Sequence, residues 1–163
     1  MIFLLTLTVG HSQRVGMPST FNVTFTKLGL DKKYERSAFL SPTFIQADFN
    51  GDGVQDVAFL VSSKTTKKRG IMIMHGNSTA YFVFGAGTNF GSGSDDFRWA
   101  DKWMVYAKKT ASETQFDKNS GDIIGSKPVK LLRPGVLIES EEAGAGGIIY
   151  WNSKKYIWIH QGE

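Results

Sequence analysis

Short apolar runs separated by Gly, Asn, Asp and Pro turns dominate this chain. Phe21-Asn22-Val23-Thr24-Phe25 alternates strictly and predicts a half-buried strand. Leu30 to Arg36 is charged and predicts a short helix or a loop, and Ala38 to Ala47 is apolar and β-prone around Pro42. Val57-Ala58-Phe59-Leu60-Val61 is continuously apolar, as a strand covered on both faces requires. Ile71 to His75 and Tyr81 to Phe84 follow after turn signals, so this stretch predicts an antiparallel meander. Gly85 to Gly93 predicts a loop, and Ser94 before Asp95 and Asp96 predicts one helical turn ending near Ala100. Trp103 to Ala107 predicts a strand, and Thr110 to Lys127 is polar around a turn at Lys118 to Asp122. Short strands are expected at Val129 to Leu132 and Val136 to Ile138, either side of Pro134-Gly135. Ile148 to Trp151 and Tyr156 to Ile159 flank Asn152-Ser153-Lys154-Lys155, a hairpin with a four-residue loop. The expected fold class is all-β, mostly antiparallel (a meander, sandwich-like or partial propeller-like sheet), with one or two short helices.

Composition supports one globular domain. The chain has 163 residues, 41% hydrophobic and 21% charged, enough apolar material for a core. Eighteen glycines and 12 phenylalanines fit turn-rich β-structure better than a helical bundle. The net charge of +4 is mild. The densest basic run, Lys64, Lys67, Lys68 and Arg69, lies between two apolar runs and reads as a solvated hairpin loop, so no nucleic-acid partner is expected. With no cysteine there is neither a disulfide framework nor a thiolate site.

Ile2 to Val9 is a short apolar run followed by Gly10-His11-Ser12. Small residues at the two positions a signal peptidase reads predict a signal peptide over 1–12, with the single β-rich domain over 13–163 and a secreted or periplasmic destination. The alternative reading of the run is a buried N-terminal strand. No stretch approaches the roughly 20 apolar residues of a spanning helix, so no transmembrane segment is expected.

The segment with the clearest chemistry is Asp48-Phe49-Asn50-Gly51-Asp52-Gly53-Val54-Gln55-Asp56. Oxygen side chains stand at loop positions one, three, five and nine. Calcium takes about six to eight oxygen ligands in a flexible shell, and alternate residues of a tight loop converge on one point. Gly53 permits the backbone reversal, Val54 supplies a carbonyl, and Asp56 closes the shell. Asp48, Asn50, Asp52, Val54 and Asp56 are the expected Ca²⁺ ligands. Phe59 stands where an EF-hand places its bidentate glutamate, and the flanks predict strands, so this is not an EF-hand. The other reading of the loop is a plain hairpin turn built from Asn50-Gly51 and Asp52-Gly53.

This loop, running straight into Val57 to Val61, resembles the calcium loop of the FG-GAP and VCBS family of propeller-type repeats. Tyr81-Phe82-Val83-Phe84-Gly85 resembles that family's strand ending in Phe-Gly. The resemblance spans about Phe44 to Gly87 and implies Ca²⁺ at the matching positions. A propeller needs several blades, and one loop in a chain of this length excludes a complete one.

Other constellations carry less. A zinc site needs three or four ligands, and His75 and His160 lack the spacing of a helical or hairpin pair; each predicts a strand-end surface residue. No G-x-S-x-G elbow marks a serine nucleophile. Glu139 and Glu141 share one strand face, a spacing that suits glycoside hydrolysis or a solvated strand end. Trp151, Tyr156 and Trp158 on the C-terminal hairpin form a candidate ligand patch for a carbohydrate or another protein, with core packing as the competing use. The leading expectation is a non-catalytic calcium-binding module. The alternatives are an exported hydrolase acting on a glycan or peptide, and an inhibitor or accessory protein of another secreted protein.

Overall fold

The computed structural model describes residues 16–162; the expected signal peptide at 1–12 lies outside them. Two antiparallel sheets pack face to face. The first contains β1 (Tyr34–Arg36), β2 (Phe44–Ala47), β3 (Asp56–Ser63), β4 (Arg69–Met74) and β5 (Tyr81–Gly85). β3, β4 and β5 form the expected meander, and β1 and β2 share the far edge of β3, β2 at its start and β1 at its end. The second sheet has the order β11-β10-β9-β6, with β6 at Lys102–Tyr106, β9 at Gly135–Ser140, β10 at Ala145–Trp151 and β11 at Tyr156–Gly162. Between β6 and β9 the chain forms a hairpin of its own, β7 (Thr110–Phe116) and β8 (Ile123–Lys130).

Strand periodicity explains how each sheet buries both faces. Along β3 and β4, Ala58, Leu60, Ile71 and Ile73 point into the space between the sheets, where Trp103, Val136, Ile138 and Ile149 meet them. The alternate residues Val57, Phe59, Val61, Met72 and Met74 point the other way, against a helix. In the second sheet Ile148, Tyr150 and Ile159 turn outward and are covered by Ala111, Val129 and Leu131 of the hairpin region. The result is four layers: helix, sheet, sheet, hairpin. The continuous apolar run at Val57 to Val61 is thus a strand buried on both sides.

The helix corrects one sequence expectation. Phe21 to Phe25 is not a strand but part of α1 (Ser19–Lys27). Phe21 and Phe25 are four apart, a spacing that satisfies both period 2 and one helical turn. Both are buried against the sheet, while Val23, midway between them, is 64% exposed on the opposite side. The helix ends where the Leu28 and Gly29 amides bond the Thr24 and Thr26 carbonyls, with Gly29 left-handed at φ +66°. The helical turn expected near Ala100 is a 3₁₀ turn over Phe97–Trp99, capped by the Asp96 carboxylate rather than by Ser94.

Candidate functional site

The acidic loop joins β2 to β3 at one end of the sandwich. Gly51 and Gly53 are both left-handed, at φ +80° and +87°, which turns the backbone N–H groups inward over the aspartates. Asp48 accepts from Gly51 N–H (2.7 Å) and Asp52 N–H (3.0 Å) on Oδ1, and from Gly53 N–H (2.9 Å) on Oδ2. Asp52 Oδ1 accepts from Val54 N–H at 2.8 Å and its Oδ2 from the Asn50 amide at 2.7 Å. The Val54 amide, and then Asn50, hold the Asp52 carboxyl below its ordinary pKa.

Asp56 does something different. It is fully buried at the start of β3. Its Oδ2 accepts from Phe49 N–H (2.9 Å) and Asn50 N–H (3.2 Å), and its Oδ1 from Gly76 N–H (2.9 Å) after β4. Burial pushes its pKa up, and those amides pull the other way. Asp56 therefore staples both ends of the loop to the neighbouring turn, a role the ligand spacing does not reveal.

Asp48, Asn50 and Asp52 are drawn together at the surface, Asp56 lies beneath them, and Val54 stands 40% exposed beside them. A carboxylate offers about four lone-pair sites and an amide oxygen two. The amide bonds above leave at least one site on each of these side chains. The set is hard, oxygen-only and carries three negative charges, which suits Ca²⁺. As placed, the carboxylates bond their own backbone, and no group of three acidic or imidazole side chains among the described residues stands in metal-holding geometry. Arg133 lies over Gly51, where an added Cβ would approach its Nε to 2.9 Å, so a fixed cation partly offsets the charge of the loop.

Behind the loop the two sheets are tied through a buried pair. His75 Nε2 and the Tyr156 hydroxyl are 3.0 Å apart. His75 is thus a core residue, not the surface residue the sequence suggested: Phe82, Trp151 and Tyr156 all pack their rings on it. Burial, and then the negative charge of Asp56, push the Tyr156 phenol well above its ordinary range.

The expected ligand patch divides. Tyr156 faces the other sheet and is 6% exposed, so it is not available at the surface. Trp151 is half-buried against Tyr156, with ring centroids 4.9 Å apart. Period alone could not choose the inward face of β11, because Ile157 and Ile159 are also covered, by the hairpin side. Trp158 lines a cavity. Glu139 lies on β9 but Glu141 lies in the turn after it, so they do not share a strand face; Lys102 Nζ bridges them at 3.1 and 2.7 Å. Donating hydrogen bonds to Glu141 and then Glu139 raises the Lys102 pKa, so both carboxylates are engaged as ion-pair partners.

At the other end of β10 lies a cavity of about 300 Å³. Trp158 and Trp99 stand at 81° to each other there, with Ser92, Ser140 and His160 around them. Ser92 Oγ and His160 Nδ1 are 2.7 Å apart, a pairing between residues 68 positions apart that no sequence spacing signals. Burial lowers the His160 pKa, which favours the neutral imidazole. No carboxylate hydrogen-bonds His160 among the described residues.

Comparison with known proteins finds no matching family model, no matching curated protein and no matching solved structure.

Proposed function

We propose that this chain is a secreted, non-catalytic binding module whose acidic loop takes up Ca²⁺. The observation that supports this reading is the loop's division of labour. A buried Asp56 fixes the backbone, and Asp48, Asn50 and Asp52 are left with accessible oxygens on one short turn. Asp48, Asn50 and Asp52, with the Val54 carbonyl, would hold the ion from the surface, over the fixed Asp56 carboxylate, whose one remaining lone pair would close the shell from beneath. When bound, calcium supplies charge neutralisation for a cluster that Arg133 offsets only in part. The resemblance of Phe44 to Gly87 to FG-GAP and VCBS repeats supports the same reading. Because the loop is joined to β2, β3 and the turn after β4, an ion there stiffens the end of the first sheet. The hydrolase alternative is weaker: Glu139 and Glu141 are both ion-paired to the same Lys102 rather than set on opposite sides of a cleft.

The test is thermal unfolding of the chelated protein with and without added calcium. Mass action predicts stabilisation of about 2.7 kcal/mol at a hundredfold excess over Kd. Asp52→Ala is expected to abolish the calcium-dependent rise in Tm. An equal rise in that variant overturns the assignment.

A further inference from the structure

The cavity at the far end of β10 has a composition that the surface around it lacks. The chain is 21% charged, and Lys102, Glu139 and Glu141 lie close by, yet no charged side chain lines it. Its walls are two indoles, three serines, small residues and one imidazole whose pKa partial burial lowers. A charged ligand would lose hydration without meeting a counter-charge on the walls, since the adjacent Asp101 carboxylate is already engaged by Ser140 Oγ and the Glu141 amide. Ser92 Oγ and His160 Nδ1 already bond each other, and Ser140 Oγ donates to Asp101 Oδ2 at 3.2 Å, so a ligand is offered the remaining lone pairs of the two hydroxyls and His160 Nε2, which a purely aromatic or aliphatic ligand would leave without partners. A ligand that is neutral, has two apolar faces and carries hydroxyls around its rim meets both requirements.

The indoles are positioned at a cost to stability. Trp158 is seated in a space cleared by glycines: an added Cβ would come within 2.2 Å of its ring at Gly147 and 2.9 Å at Gly93. Its Nε1 is buried with no hydrogen-bond partner, a penalty that phenylalanine would avoid. Trp99 is fixed independently, by donating its Nε1–H to the Gly93 carbonyl at 3.0 Å. In the same loop Ser94 adopts φ +69°, a region costly for a residue with a side chain. An indole held despite an unpaired N–H, beside a strained loop and a second clamped indole, fits a platform better than core filler.

We propose that this cavity binds one neutral pyranose ring of a glycan. Because the indoles stand at 81° to each other, a C–H face of the sugar packs on one of them and the ring's edge meets the other, while its hydroxyls bond Ser92, Ser140 and His160. A volume of about 300 Å³ is at the small end for ligand sites and fits a single ring, not an oligosaccharide. This inference rests on the reading of the chain as a binding module and names the ligand class of that module.

The experiment is titration calorimetry of the whole protein with the methyl glycosides of glucose, galactose, mannose and N-acetylglucosamine, with phenol and indole in parallel. At the ligand efficiency of so small a ring, at least one glycoside is expected to bind with a Kd of about 1 mM. Ala143→Trp, which fills the cavity from an exposed position, should weaken that glycoside at least tenfold while leaving Tm unchanged. Trp99→Phe, which keeps an aromatic but loses the clamp to Gly93, should weaken it severalfold. Asp52→Ala should leave it unchanged, which separates this site from the calcium reading. Binding of phenol or indole without any glycoside, or glycoside binding undiminished by Ala143→Trp, overturns the proposal. The calcium reading survives either result, because its readout is the calcium-dependent Tm.

Discussion

The two ends of β10 are built on opposite plans. At its Trp151 end, the functional groups of the acidic loop come from nine consecutive residues and are ordered mainly by their own backbone amides. At its Ala145 end, the cavity takes residues from the loop after β5, the turn between β9 and β10, and the end of β11. The loop makes its site by local turn chemistry, and its link to the fold runs through one buried carboxylate. The cavity has no local logic and exists only because the two sheets and their loops are packed. Stability should therefore concentrate differently at the two ends.

The largest expected effect is at Asp56. Asp56→Ala leaves the Phe49, Asn50 and Gly76 amides without their buried acceptor and should cost about 3 kcal/mol or more in urea unfolding without calcium. Asp56→Asn should recover part of that loss. Asp52→Ala in the same buffer should scarcely move the midpoint, since its carboxylate is at the surface. Equal losses in the two variants would erase the distinction between the stapling aspartate and the ion-facing one.

A smaller effect is expected where the loop end meets the second sheet. Tyr156→Phe removes the partner of His75 Nε2 inside the core and should cost about 1–2 kcal/mol by the same measurement. The wild-type phenol should also resist alkaline titration until the protein unfolds. Its folded pKa is raised above the ordinary 10, so the folded state holds the proton more tightly and stability falls as pH rises past 10. A tyrosine absorbance titration that accounts for every phenol near pH 10 in folded protein would contradict the buried pair.

The smallest effect belongs to the cavity end. The folded pKa of His160 lies below its ordinary 6.5, so between those values the unfolded chain binds more protons. Stability should rise with pH through that window and decline modestly as pH falls through 6.5. His160→Gln should flatten that part of the Tm profile. A pH dependence that survives the substitution assigns it to another group.

Much of the architecture was legible before any coordinates. The unbroken apolar run at Val57 to Val61 implied a strand covered on two faces, and Asn152 to Lys155 implied a hairpin turn, because both signals are local. The acidic loop was legible for the same reason: side chains and amides within nine residues determine its turns. Phe21 to Phe25 was misread because a spacing of four fits a strand and a helix equally, and only the sheet beneath Phe21 and Phe25 selects the helix. Which face of β11 turns inward also needed tertiary structure, since both faces are apolar and the layers on either side, the first sheet and the hairpin, cover them both. His75 beside Tyr156, and Ser92 beside His160, are contacts between strands and loops about 70 to 80 residues apart. Sequence sets turns and periods because these act over a few residues. The packing of one sheet on another brings distant side chains together, and that packing alone made the cavity.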